Sequence, residues 1–189
     1  MAWELFILHF RTPASAFYGV ALRTQYDMTK RYFTQTFGVI AALIERNGKF
    51  LLVRENRTEY QTYDHGKWNH PAGWIEVGES PIEGIKREVL EETGFEFTPT
   101  GVLGIYSMAR DLRSIDGNIH HPIKLAFLGE ISVNPVGEIH DDVSKIRWFS
   151  NEEIMAMDEH TLRDKDIKIM VKDYLLGKRL PLDSVTHTS

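Results

Sequence analysis

The chain has 189 residues, a formal charge of -5 and 42% hydrophobic residues, enough for one domain with a full core and too acidic to favour a nucleic-acid backbone as its main partner. It has no cysteine, which excludes disulfides, thiolate metal sites and a cysteine nucleophile and is compatible with a reducing cytoplasm, the compartment expected here. No apolar run approaches the roughly 20 residues of a membrane span, so no membrane partner is expected. The opening "MAWELFILHF" is a poor signal peptide: Glu4 interrupts the apolar run and no positive charge precedes it. Residues 1–33 form an extension without a clear period, and the patterned sequence begins just after Met28. Its aromatic residues Trp3, Phe6, Phe10, Phe17 and Tyr18 favour an ordered segment packing on the domain or a partner.

Strand formers fill 36–45 and 49–55, and "RNG" at 46–48 joins them with the strongest short hairpin signal. Polar residues 56–67 read as a long loop. Short extended pieces follow over 67–79, broken by Pro71, Gly73 and Gly78. The clearest helix starts at Ser80, an N-cap, with Pro81 at its first position and Glu83 completing a capping box. Gly94 ends it. Ile82, Ile85 and Val89 share one face. Glu88, Glu91 and Glu92 occupy the adjacent arc, with Glu88 and Glu92 one turn apart and Glu92 expected to border solvent. Segments 101–109 and 121–131 read as strands joined by the loop 110–118, and 145–149 as a further short strand. Ser150 and Glu153 make a second capping box, and 164–176 carries a helical period that stops at Gly177.

Carboxylates crowded on one helix face repel one another and raise one another's pKa. A solvated acidic face is the plain explanation. A divalent cation is the chemical one: magnesium takes one or two carboxylates together with substrate phosphates and water, and it neutralises charge developing on a phosphoryl group. The surrounding spacing decides between them. From Gly73 the chain reads "GWIEVGESPIEGIKREVLEETGF", with Gly73, Glu79, Arg87, Glu88, Val89, Glu91, Glu92, Gly94 and Phe95 at set intervals. This stretch resembles the Nudix box, G-x5-E-x7-R-E-U-x-E-E-x-G-U with U apolar, at every defined position.

The resemblance, to MutT-like Nudix hydrolases, covers about residues 34–176, leaving 177–189 as a C-terminal tail. It implies an α/β/α sandwich, a mixed β-sheet between helices, with the box as a loop-helix-loop. By position it implies that Glu88 and Glu92 are the main magnesium ligands (manganese is the alternative ion), that Glu91 adds a ligand directly or through water, and that Gly73 offers its carbonyl. Arg87 would hold Glu88 or Glu79 in place. Glu79 would either ligate a second metal or anchor the loop. The general base would be a box glutamate or an acid of the loop 137–142, which offers Glu138, Asp141 and Asp142, with Asp142 the candidate; the plain reading of that loop is a polar connection. Arg54 and Arg57 are substrate-phosphate candidates against a reading as solvated charge. Tyr60, Tyr63 and Tyr106 read as core or rim, and His65, His70, His120 and His121 as loop and surface.

The activity implied is hydrolysis of a phosphoanhydride in a small nucleotide or organic diphosphate. Segments 67–80, 146–154 and 177–185 look like the bacterial phosphatase-type members acting on nucleoside di- and triphosphates and thiamine-related diphosphates. Trp74 stands where that group usually has histidine. The proline of ADP-ribose hydrolases, about 16 residues after the box, is missing. An ADP-ribose or dinucleotide pyrophosphatase, and a nucleotide sensor without turnover, are the alternatives; a homodimer is compatible with the sequence.

Overall fold

The computed structural model describes residues 38–56, 64–108 and 122–188, all within the compact unit Gln35–Ser189. The extension 1–33, the loop 110–118, Arg57, Tyr60, Tyr63, His120 and His121 lie outside the described residues.

Strands β1 (Gly38–Arg46) and β2 (Lys49–Glu55) form the expected hairpin. Asn47 and Gly48 both have positive φ, 55° and 77°, as the primed two-residue turn requires. β1 is the hub. Along one edge it runs parallel to β6 (Ile123–Ile131), and along the other it pairs antiparallel with the short β4 (Ala72–Trp74), setting Gly73 opposite Ile40. β6 continues to the edge strand β5 (Phe97–Ser107). β2 pairs with β3 (Trp68–Asn69) and with β7 (Val143–Ser150). Together these make a seven-stranded mixed sheet.

The strand period of two sorts the apolar residues onto two faces. Ile40, Ala42 and Ile44 of β1, Leu51 of β2 and Phe127 of β6 point to one core. Ala41, Leu43, Phe50, Leu52, Ala126 and Leu128 point to the other. Both faces are buried, which is why the sequence runs continuously apolar there instead of alternating. Helix α1 (Pro81–Thr93) covers the first face with Ile85 and Val89, both fully buried. Each such side chain stabilises the fold by about 1.5–3 kcal/mol. Helices α2 (Asn151–Ala156) and α3 (Asp166–Leu175) cover the second, with Ile154, Ile167, Met170 and Val171. The result is the α/β/α sandwich. Among the described residues no helix is long and apolar enough to cross a membrane.

Several expectations are corrected. Ser80 Oγ accepts from Glu83 N at 3.1 Å, but the Glu83 carboxylate takes Lys86 Nζ at 2.9 Å instead of closing a capping box. The second box, Ser150 with Glu153, is complete. β5 begins at Phe97, not Gly101, because Phe97 is buried in the first core. Pro99 is tolerated there on an edge strand whose register shifts between Pro99 and Gly101. Beyond α3, Leu180 and Val102 exchange backbone hydrogen bonds of 2.7 and 2.9 Å, so the C-terminal segment caps part of that edge.

His70 is not at the surface. It is fully buried, and burial, with the Lys124 charge adding to it, pulls its pKa down to about 3. The neutral form is therefore the folded form, and the unfolded chain binds the extra proton between pH 6.5 and about 3. Stability is complete above 6.5 and falls as pH drops through that window, by up to roughly 1.4 kcal/mol per pH unit. His70→Leu is expected to flatten this slope, read as the difference in urea midpoints between pH 7 and pH 5. Equal slopes in variant and parent would refute the assignment.

Candidate active site

The acids of α1 do not stand in a row facing water. Glu88 and Glu92 are 9% and 4% exposed, which corrects the expectation that Glu92 borders solvent. Glu92 Oε2 accepts the N–H of Ala72 at 2.9 Å. This bond ties the helix to β4 and presents the carboxylate toward the sheet. Glu91 is more open, its side chain 45% exposed. The helix turns Glu88 and Glu92 toward β4 because Ile85 and Val89, on the neighbouring arc, must face the core.

Arg87 organises the cluster. Its Nε and Nη2 grip Glu79 at 2.8 and 3.0 Å, and its Nη1 reaches Glu88 at 2.7 Å and Glu91 at 3.2 Å. Nη2 also donates to the Trp74 carbonyl at 3.2 Å. Five donors in a planar fork suit this task, and a lysine would not reproduce it. Arg87 thus holds Glu79 and Glu88 together. Glu79 accepts from Glu76 N at 3.1 Å as well, so in this arrangement it anchors the loop before the helix. The hydrogen bond from Arg87 is the main reason the Glu79 carboxyl titrates below its usual range, and Glu79 in turn is the main reason the guanidinium titrates higher.

Gly73 lies directly under Glu88. A Cβ built on it would fall 2.1 Å from the Glu88 carboxylate. The strand must come this close for its backbone and the helix acids to share one space, and only glycine permits it. Among the described residues no three Asp, Glu or His side chains converge as a preformed cage. The donor set nevertheless fits a hard divalent ion: carboxylate oxygens on one helix face, a cradle that any side chain would fill, and an arginine already neutralising part of the charge.

Among the described residues, Arg54, Asp142 and Tyr106 pair with groups other than the α1 acids. Arg54 donates Nε to the Gly66 carbonyl at 2.9 Å, on β2 facing the turn before β3. Asp142 is half exposed with His140 Nδ1 3.9 Å away. Its loop joins α1 through backbone bonds: His140 N to the Glu91 carbonyl, 2.8 Å, and Val136 and Gly137 N to the Gly94 carbonyl, 2.8 and 3.1 Å. These satisfy carbonyls left over at a helix end. Tyr106 donates to Asp173 at 3.0 Å, and burial, with Asp173 adding to it, raises its pKa. It packs against the second core, within the core-or-rim role expected of it.

A cleft opens from Gly73, lined also by Val39, Asn69, Ala72, Trp74, Met108, Pro122, Lys124, Arg163 and Asp164. Its polar wall escaped the sequence reading. Glu55 accepts from Asn69 Nδ2 at 3.3 Å and from Arg163 Nη1 at 2.6 Å. Arg163 also pairs with Asp64 at 3.1 Å, and Lys124 with Asp166 at 2.6 Å. Burial opposes the Arg163 charge, but Glu55, Asp64 and Asp164 outweigh it and raise its pKa. One signal was legible: Lys124 interrupts the apolar run of β6, and a lysine there is buried only with a partner. The partner, 42 positions along the chain, was not.

Comparison with known proteins matches this arrangement to one family. The NUDIX domain model fits residues 34–170. The chain is 30% identical over 152 residues to phosphatase NudJ of Escherichia coli (strain K12), covering 77% of this chain and 88% of that one. The solved NUDIX hydrolase from Nitrosomonas europaea has 35% identity and a TM-score of 0.68, covering 79% of this chain and 95% of that one. The NUDIX domain of Shewanella oneidensis NrtR, solved with ADP ribose, has a TM-score of 0.57 over 82% of this chain and 97% of its own. At 17% identity it shows the fold alone. With box, fold and relatives in agreement, the chain belongs to the NUDIX domain family and is a Nudix hydrolase.

Proposed function

We propose that this hydrolase cleaves the phosphoanhydride of nucleoside di- and triphosphates or related small organic diphosphates, in a reaction that requires magnesium or manganese. The observation that carries the proposal is that Glu88 packs against Gly73 and Glu92 binds the Ala72 N–H, Ala72 and Gly73 both lining the cleft. A relative named a phosphatase supports this choice among Nudix chemistries.

Glu88, Glu92 and the Gly73 carbonyl would hold the ion, with Glu91 adding a ligand directly or through water. When bound it supplies positive charge for the diphosphate and for the oxygen of the attacking water. The protein supplies position. Arg87 and the Ala72 N–H fix the carboxylates before substrate arrives, so little reorganisation is needed as charge develops. Water oxygen bonds to phosphorus, the bridging P–O bond breaks, and the leaving phosphate takes the electron pair. The water proton goes to a carboxylate. We assign that role to Glu91, the most exposed of Glu88, Glu91 and Glu92, ahead of Asp142, whose carboxylate sits beside His140.

Product analysis tests the proposal. The purified protein with magnesium is offered nucleoside di- and triphosphates, thiamine diphosphate, ADP-ribose and a dinucleoside polyphosphate, each repeated with chelator. Metal-dependent orthophosphate from the first three is expected. Cleavage confined to ADP-ribose or the dinucleotide would overturn the substrate class. Turnover surviving the chelator would overturn the metal.

A further inference from the structure

The loop 132–142 between β6 and β7 contains no helix or strand, yet it is tied down along its length. Ser132 N donates to the Glu96 carbonyl at 3.0 Å, and Asn56 N to the Asp142 carbonyl at 2.7 Å. Between them lie the bonds from Val136, Gly137 and His140 to the carbonyls of Gly94 and Glu91. The loop is therefore fixed across the C-terminal end of α1. Gly137 lies against that helix: a Cβ built on it would fall 3.6 Å from the Leu90 side chain.

This fixed loop shows apolar side chains to solvent. Val133, Val136 and Ile139 are 84%, 58% and 40% exposed, and Leu90 beside Gly137 is 37% exposed. A connection between two strands does not require three β-branched apolar residues among its ten exposed positions, 133–142. Scattered singly, exposed apolar residues are ordinary; held on one rigid segment beside a fourth, they mark an interaction surface. A segment ordered in advance also loses less entropy on binding.

The surrounding charge defines the partner. Glu130, Glu138, Asp141 and Asp142 are all exposed, and residues 130–142 include no lysine or arginine. Glu91 and Glu96, whose carbonyls anchor the loop, are exposed acids as well. The last turn of α1 carries no basic residue. The cations nearby are engaged: Lys86, one turn before Leu90, pairs with Glu83 at 2.9 Å, and Arg46 donates to the Ile131 and Ser132 carbonyls at 2.9 and 3.4 Å. An apolar centre with an acidic rim repels a second copy of itself placed face to face, and it repels an anionic membrane. It attracts apolar residues flanked by positive charge.

We propose that the loop 132–142 and Leu90 form a docking surface for a protein segment that interleaves apolar residues with lysine and arginine. The inference does not rest on the substrate or on turnover.

Fluorescence anisotropy tests it with a labelled synthetic peptide that has leucine at helical spacing and lysine elsewhere, beside its twin with glutamate for lysine. The lysine peptide is expected to bind and its twin is not. Affinity is expected to fall as salt rises from about 0.1 M to about 1 M, where the screening length shrinks from roughly 10 to 3 Å. The double variant Val136→Ser with Ile139→Ser is expected to weaken the lysine peptide about tenfold or more. It is expected to keep the parent's melting temperature and turnover, because both side chains are exposed and neither belongs to the acids' site. Binding unchanged by the double variant would reduce the effect to attraction by net charge and overturn the inference. Equal binding of the two peptides, or none of the lysine peptide, overturns it without any variant. So does a dimer in sedimentation that the double variant dissolves, or binding to phosphatidylserine vesicles, since either gives the face to a different occupant.

Discussion

Glu92→Gln is expected to lower metal-dependent turnover about a thousandfold or more, while the fold survives. Removing one preorganised charge-stabilising group typically costs two to three orders of magnitude, and here the lost group is also assigned as a metal ligand. Survival of the fold follows from the hydrogen bond: glutamine retains an oxygen for the Ala72 N–H that Glu92 now accepts at 2.9 Å. Glu92→Ala separates the two roles. It removes charge and acceptor together and leaves the Ala72 N–H without a partner in a buried place, at about 1–3 kcal/mol. For a chain of this size that is a melting temperature lower by several degrees. Metal supplies a readout independent of activity. An ion that binds only the folded state raises the melting temperature of the parent protein, and the rise is expected to shrink in Glu92→Gln. In chelator, the variant is expected to match or exceed the parent, because one of two neighbouring carboxylates has lost its charge. Full turnover in Glu92→Gln, or an unchanged magnesium-induced rise, would remove Glu92 from the metal site.

Gly73→Ala is expected to abolish activity by a different route. The backbone at Gly73 is ordinary strand and accepts alanine without conformational strain, since Gly73 is not among the residues with positive φ. The obstacle is space: the new Cβ falls 2.1 Å from the Glu88 carboxylate. That carboxylate is the far end of a flexible side chain, so it moves and the sheet stays. Stability is therefore expected to change by no more than about 1–3 kcal/mol, the range for overpacking. The displacement has two consequences for the site. Glu88 leaves Arg87 Nη1, 2.7 Å away, and it vacates the cradle shared with the Gly73 carbonyl. Turnover is expected to fall at least a hundredfold, with loss of the magnesium-induced rise in melting temperature. Gly73→Ala with normal turnover would show that the approach of Glu88 to β4 is not needed for function. A variant that unfolds would show that Glu88 cannot move, and a double variant with Glu88→Ala would then be expected to restore folding without activity.

Local rules carried much of the fold. Asn47-Gly48 determined the first hairpin, because few dipeptides take positive φ twice. Ser80, Pro81 and Gly94 bounded the box helix, because caps satisfy backbone groups the helix itself leaves open. Where a local signal met a competitor, it failed. Glu83 had a choice between the Ser80 backbone and Lys86, one turn along, and the ion pair took it. His70 looked like a loop residue beside a proline, yet the chain around it packs inside, and its polarity did not reveal that.

By itself the sequence determined the family, the helix that carries Glu88, Glu91 and Glu92, and the arginine beside them, because all of these lie within residues 73–95 and their spacing is preserved whatever the rest of the chain does. Only the tertiary structure decided which acids are buried, that Arg87 grips Glu79 and Glu88 at once, and that Gly73 lies beneath Glu88. It also brought Asn69, Lys124 and Arg163 to one cleft from three distant segments. The physical reason is the same in each case. Periodicity reports which face of an element turns inward, but not what that face meets, since the meeting partner is chosen by strand order and by burial across dozens of residues of intervening chain.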